Sequence, residues 1–207
     1  MIMLQRSDDW FKARLGRFTA SEIHKLMGVK GLGETGLTYA FDKACEVVFG
    51  KDEDSDFTSF DMQRGIELEP LAFKKFKELK ALDFIDVQET TFFPFGKDAG
   101  ASPDGLVGKD AILEIKCPKR NKLLNLIDKG IEAIDQKYIF QMQMQMLCSN
   151  SIKCYFFNYG IFNGQEYWHE LEILRDEVII EKMKQRINEA IVLRDNYIIS
   201  LQTKKQF

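Results

Sequence analysis

The residue types best suited to chemistry lie close together in Ser102-Pro-Asp104-Gly and, a few positions on, Ile112-Leu-Glu114-Ile-Lys116. The first segment reads as a strand end or turn and the second as a strand, because short β-branched runs bounded by Gly, Pro and Asp favour extended structure. Side chains alternate along a strand, so Glu114 and Lys116 project from one face while Leu113 and Ile115 enter the opposite layer. A hairpin-like pairing over 102–116 brings Asp104 back beside Glu114 and puts two carboxylates and an ammonium in one small volume. Such carboxylates repel each other, and burial makes their ionised forms costly unless a cation offsets them. Mg²⁺ takes oxygen ligands in octahedral geometry and keeps several waters, so Asp104, Glu114 and a main-chain carbonyl, that of Ile115, suit it. Lys116 is then placed to orient or deprotonate an attacking water, or to neutralise charge growing on a scissile phosphate. This is the chemistry of phosphodiester hydrolysis. The plainer account of so short a motif is an exposed ion pair on an edge strand.

The elements that must hold this cluster follow from periodicity and punctuation. Asp8 to Leu15 reads as a short helix closed by Gly16, and Thr19 to Met27 as a second, opened by the capping box Thr19-Ala-Ser-Glu22. A third helix is expected over Thr38 to Phe49 with Gly50 as its stop, then a solvated acidic loop from Lys51 to Asp56. Helical spacing returns from Ser59 to about Ala81, with an interruption or bend at Gly65 and Pro70. Phe84 to Phe95, Gly100 to Val107 and Ala111 to Ile115 read as three consecutive strands. Helices over Asn121 to Lys129 and Ile131 to Cys148 follow, then strands over Ile152 to Tyr159 and Glu166 to Leu174. A last helix from Asp176 to about Ser200 carries Val178, Ile179, Met183, Ile187, Ala190, Ile191 and Arg194 at helical spacing. This order predicts one α/β or α+β domain.

Ser21 falls in the first turn of the second helix, where free N–H groups and the positive dipole end favour an anion. Arg14 is able to offer a bidentate fork to the same phosphate, although a capping serine and a surface arginine explain the pair as well. Lys116, Lys119, Arg120 and Lys122 make a basic cluster after the candidate catalytic strand, where a phosphate backbone would pass without its bases being read; an ordinary solvated surface fits it equally. Arg17, Lys25 and Lys30 add positive charge from the N-terminal side.

Bulk properties narrow the field. With 207 residues, 45% of them hydrophobic and 29% charged, the chain can bury a substantial core. The net charge of −3 and pI near 5.6 exclude a global pull toward polyanions. Neither a membrane-spanning run nor a secretory start is visible, so the cytoplasm is the expected location. Cys45, Cys117, Cys148 and Cys154 lack metal-ligand spacing and read as free, mostly buried thiols, and the histidines, His24 and His169, fall in no ligand pattern. The same four cysteines are too scattered to hold an iron–sulfur cluster. Gly31-Leu-Gly33-Glu-Thr-Gly36 matches a dinucleotide fingerprint but lacks the preceding strand, and reads as a flexible loop.

Several segments resemble, in order, the phage lambda exonuclease and YqaJ-like viral recombinase family of the PD-(D/E)xK nuclease superfamily. They are Asp9-Trp-Phe-Lys-Ala-Arg14-Leu-Gly, Thr19-Ala-Ser21-Glu, Arg64-Gly-Ile-Glu-Leu-Glu69, Ser102-Pro-Asp104-Gly-Leu, Leu113-Glu114-Ile-Lys116-Cys-Pro and Tyr138-Ile-Phe-Gln141-Met-Gln143. The resemblance implies a restriction-endonuclease-like α/β core, a central mixed β-sheet flanked by helices, in a single nuclease domain over 1–207. It implies that Asp104 and Glu114 bind one or two Mg²⁺ ions, with Mn²⁺ as a substitute, that Lys116 serves the attacking water, and that Glu69 and Gln141 complete the site. Glu67 competes with Glu69, and Gln143 and Gln145 with Gln141, in a run whose period of two also fits a strand. For Arg14 and Ser21 it implies a pocket for the 5′-terminal phosphate. The activity implied is 5′-to-3′ digestion of double-stranded DNA from an end, by a phage-type homotrimeric ring working beside a strand-annealing protein. An endonuclease of the same superfamily, or a silent DNA-binding subunit, are the rival readings.

Overall fold

The computed structural model describes residues 5–51 and 59–204. Two sheets organise it. Helix α1 (Asp8–Arg14) is capped by Ser7, whose side chain accepts from Trp10 N, and the chain turns at Gly16 with φ +70°. Strand β1 (Phe18–Thr19) leads into a 3₁₀ helix (Ala20–Leu26), then α2 (Gly33–Phe49) and α3 (Phe60–Ala81). Strands β2 (Val87–Gln88), β3 (Phe93–Phe95), β4 (Ala99–Ala101), β5 (Gly105–Val107) and β6 (Ala111–Lys116) follow. Then come α4 (Arg120–Lys129), a 3₁₀ turn (Gly130–Ala133), α5 (Gln136–Ser149), the long hairpin β7 (Lys153–Phe162) and β8 (Gln165–Leu174), and α6 (Glu177–Lys204).

The central sheet has the order β2-β5-β6-β7-β8, with β6 and β7 parallel and the other pairs antiparallel, so it is mixed. One face packs on α3, where Ala72 and Phe76 meet Leu113, Ile115, Tyr155 and Phe157. On the other, Leu126 of α4 and Met142 and Met146 of α5 cover Ile112, Cys154 and Phe156. A sheet covered by helices on both faces is the α/β arrangement expected from the order of elements. The smaller sheet, β1-β4-β3, forms a second core with α2, α6 and Met144 of α5. Alternate methionines of α5 thus enter different cores.

Several expectations are corrected. The three consecutive strands are instead five short ones divided between the two sheets. Composition cannot separate them; what does is the turn at Ser102-Pro103-Asp104, where Pro103 offers no N–H to a ladder. Packing reinforces the division: the Phe92 ring lies against Gly100, so that a Cβ there would sit 2.1 Å from Phe92 Cζ. Phe84, at φ +57° and exposed, lies outside any strand. The segment after Thr19 is 3₁₀ rather than α, and no capping box forms, since Thr19 Oγ1 faces Ser21 Oγ at 3.4 Å and caps no backbone N–H. Helix α2 begins at Gly33, so the Gly-rich segment expected to be loop is partly helix, and α3 runs unbroken through Gly65 and Pro70. The helix expected over 131–148 is divided at Asp135, which caps α5 by accepting from Lys137 N. Beyond Lys51, the expected acidic loop lies outside the described residues. The four cysteines are free, and only Cys154 is fully buried.

Arg194, in helical spacing with the apolar residues of α6, is 6% exposed and carries its charge inside. It donates to Asp98 at 2.7 Å and to the Gly16 carbonyl at 3.0 Å, tying the turn after α1 to the β3–β4 turn. Arg194→Leu strands the partly buried Asp98 carboxylate. A loss of about 3 kcal/mol in urea-unfolding free energy is expected, and an unchanged urea midpoint would show the tie to be dispensable.

Candidate active site

Asp104 stands where β5 begins to pair with β6. Its backbone N–H donates to the Leu113 carbonyl at 2.9 Å and its Oδ2 accepts from Ile115 N at 2.6 Å, so these two bonds bracket Glu114. Glu114 is 1% exposed. Its Oε1 accepts from Lys116 Nζ and from Gln141 Nε2 at 2.6 Å, and its Oε2 accepts from Gln145 Nε2. The structure therefore brings together Asp104, Glu114, Lys116 and Gln141, with Leu113 and Ile115 in the opposite layer as alternation requires.

The competing residues sort themselves by helix geometry. Positions 141 and 145 lie one turn apart on the same face of α5, so both glutamines reach Glu114. Gln143 points elsewhere, donating to the Leu174 carbonyl and accepting from Asp176 N, both at 2.8 Å. Glu67 is exposed and takes a bond from Gln63. Glu69 lines the cleft that opens onto Lys116, and pairs with Arg6 at 2.6 Å. This cleft, about 860 Å³ in volume, also receives Ile115, Lys119, Lys122, Tyr138 and Asn158. Lys119 meets Asp61 across it at 2.9 Å, whereas Arg120 is exposed and does not line it.

The charges of the cluster do not cancel. Burial, then Glu114 and Glu69, push the Asp104 carboxyl well above the usual carboxylate range; Lys116 and the Ile115 N–H only partly oppose them. Burial alone would lower the Lys116 ammonium, but Glu114 and Asp104 overcome it and hold that group above its ordinary value. Lys116 is thus a charged donor through the neutral range, not a free amine ready to accept a proton. The neighbouring Cys117 thiol is pushed up to about 12 by burial and by Glu69, which keeps it unreactive.

Arg14 and Ser21 also meet, with Arg14 Nη2 donating to Ser21 Oγ at 3.2 Å beside a second depression that Lys12 and Lys43 help to line. Burial lowers the Arg14 guanidinium from its ordinary value, and Tyr39, Glu22 and Glu46 offset this only in part. Among the described residues no carboxylate forms a close ion pair with it, and its guanidinium lies 4.1 Å over the Trp10 ring. Trp10 Nε1 donates in turn to Ser102 Oγ at 2.9 Å, which links this pocket to the turn carrying Asp104.

Residue type and spacing do not single out Gln5, Arg6, Arg64, Trp10 or Asn158. Gln5 donates to Asp104 Oδ1 at 3.3 Å and Arg64 to the Cys117 carbonyl at 2.8 Å. Trp10 and Arg64 stand inside the segments that carry the family resemblance, and that was the available signal. Gln5, Arg6 and Asn158 have no local signature.

Residues 9–151 match the family model of the YqaJ-like viral recombinase domain. Among solved structures, the alkaline exonuclease LHK-Exo from Laribacter hongkongensis is 30% identical, with a TM-score of 0.80 over 96% of this chain and 98% of that one. LHK-Exo in complex with dAMP aligns with a TM-score of 0.79 at 29% identity, over 96% of this chain and 98% of that chain. A phage-related exonuclease from Haemophilus somnus 129PT, 18% identical, shares the fold with a TM-score of 0.72 over 92% of this chain and 99% of that one. The curated proteins give no match.

Proposed function

The chain belongs to the YqaJ-like viral recombinase family, and from that premise we propose that it is a nuclease that digests linear double-stranded DNA from the 5′ end with Mg²⁺. The observation that carries the reading is the convergence of Asp104, Glu114 and Lys116 beside the cleft, two carboxylates to one ammonium, with the Asp104 carboxyl costly to ionise there. Among the described residues no group of three or more His, Cys, Asp and Glu side chains is arranged to hold a metal. Two carboxylates and the Ile115 carbonyl, with water filling the remaining positions, suit Mg²⁺ or Mn²⁺ better than an ion needing an all-protein cage. Bound there, such an ion supplies Lewis acidity at the scissile phosphate.

The chain's own groups do the rest. Lys116 places a positive donor where charge grows on the phosphate. Gln141 and Gln145 hold Glu114 in one orientation, and Glu69 with Arg6 closes the cleft wall. Arg14 and Ser21 offer a terminal phosphate a half-buried guanidinium and an exposed hydroxyl, so the chain engages an end and the cut falls at a fixed distance from it. That LHK-Exo was solved with dAMP, a deoxynucleoside monophosphate, supports a nucleotide-sized product. A closed trimeric ring would let a protein of net charge −3 stay on its substrate, and a strand-annealing protein would take up the exposed strand. No helix among the described residues is long and apolar enough to cross a membrane.

The test is digestion of end-labelled linear duplex with and without Mg²⁺, beside covalently closed circles. Release of mononucleotides from 5′-labelled ends only with the ion is expected; efficient cutting of circles would replace this reading with an endonuclease. Arg14→Ala is expected to lower the preference for 5′-phosphate over 5′-hydroxyl ends by about tenfold, the scale of one hydrogen bond to a charged group. Equal loss on both ends would instead mean a general binding defect.

A further inference from the structure

Lys116, Asn158 and His169 make one row across β6, β7 and β8, since Lys116 pairs with Asn158 and Asn158 with His169 in the strand register. Paired residues of neighbouring strands send their side chains to the same face. Asn158 therefore stands beside Lys116 on the face that carries Glu114. It is 1% exposed and lines the cleft. Its Nδ2 makes a long bond of 3.4 Å to the Phe156 carbonyl, while its Oδ1 is buried without a partner. His169 Nε2 is buried and unpartnered too, so these two atoms do not satisfy each other. A buried amide oxygen with no donor is destabilising, and such atoms are uncommon in folded proteins.

Glu114 presents the complementary problem. Three donors already bond its two oxygens, Lys116 and Gln141 on Oε1 and Gln145 on Oε2. A cation arriving there is compatible with the neutral glutamines but repels the ammonium. That repulsion favours release of Lys116 from Glu114 to another acceptor. Gln145 Oε1 also lacks a partner, yet Gln145 does not line the cleft. Asn158 Oδ1 is neutral, next in register and inside the cleft.

We propose that Asn158 is a positioning residue whose amide oxygen receives the Lys116 ammonium when Glu114 is given over to a cation. This keeps Lys116 at the reacting face and removes its competition for the carboxylate. The inference rests on the metal-dependent reading above.

The experiment is calorimetric titration of Mn²⁺ into the DNA-free protein, for wild type, Asn158→Leu, Lys116→Met and the double variant, with Asn158→Ala replacing leucine should that side chain not fit. Asn158→Leu is expected to keep or raise the melting temperature, because an unpartnered polar group leaves the interior. It is expected to weaken Mn²⁺ binding about tenfold, the scale of one charged hydrogen bond, yet less than about twofold in the Lys116→Met background, where nothing competes. With Mg²⁺ and linear duplex, kcat falls by a similar factor while KM for DNA ends holds. Equal weakening in both backgrounds, or unchanged affinity and kcat, overturns the inference and leaves the nuclease reading standing. A wild type that binds no Mn²⁺ overturns both.

Discussion

Lys116→Ala is expected to lower turnover of linear duplex DNA by about a thousandfold, within the range for a lost acid–base or electrostatic group. Binding of DNA ends, measured by anisotropy with Ca²⁺ in place of Mg²⁺, should change much less. The asymmetry follows from where the side chain sits. Lys116 is 26% exposed and its bond is to Glu114, inside the cluster; Lys119 and Lys122, farther along the cleft, remain to meet a phosphate backbone. Gln141 and Gln145 still hold Glu114, so the site keeps its shape without the ammonium. Lys116→Arg tests geometry against charge: a guanidinium keeps the charge but is too broad for a place shaped to a point donor beside Tyr138, and it should not rescue. Near-normal turnover by the alanine variant would remove Lys116 from the chemistry.

What the sequence made legible was governed by short range. The pairing of Asp104 with Glu114 required only a tight return of the chain, and the facing of Glu114 and Lys116 only a period of two. Both are realised in the β5–β6 ladder. The glutamine run was ambiguous for a physical reason. Its period of two satisfies a strand, and only once the segment is helical do 141 and 145 fall together while 143 turns to Leu174 and Asp176. Groups that arrive from a distance were not legible. Arg6 reaches Glu69, Gln5 reaches Asp104, and Asn158 comes from a strand separated from β6 by two helices. The two-sheet division was equally hidden, because the strands share one composition and the ring of Phe92 over Gly100 is a tertiary fact. Arg194 shows the reverse case: it shares the helical spacing of its apolar neighbours, and its buried charge is intelligible only with Asp98 and Gly16 in view.

Asp104→Asn should abolish cleavage and yet make the metal-free protein more stable at neutral pH. The Asp104 carboxyl is partly buried, and desolvation together with Glu114 and Glu69 raises its affinity for a proton well above the ordinary value. The folded state therefore binds that proton more tightly than the unfolded chain does. Its contribution to stability is complete below the unfolded pKa and is lost as pH rises through the folded one, so ionisation of this carboxyl works against folding. Asparagine removes the charge while its amide oxygen can still accept from Ile115 N, so the bracket around Glu114 survives. Urea midpoints followed upward in pH from the acid range, with chelator present, should fall for wild type and fall less for the variant. Adding Mg²⁺ at about 100 times its dissociation constant should restore the wild type by about 2.7 kcal/mol, and the variant by much less, since one of the two carboxylates proposed to hold the ion is gone. Parallel pH curves for the two proteins, or equal stabilisation of both by Mg²⁺, would mean that Asp104 is not the charge that makes this pocket incomplete.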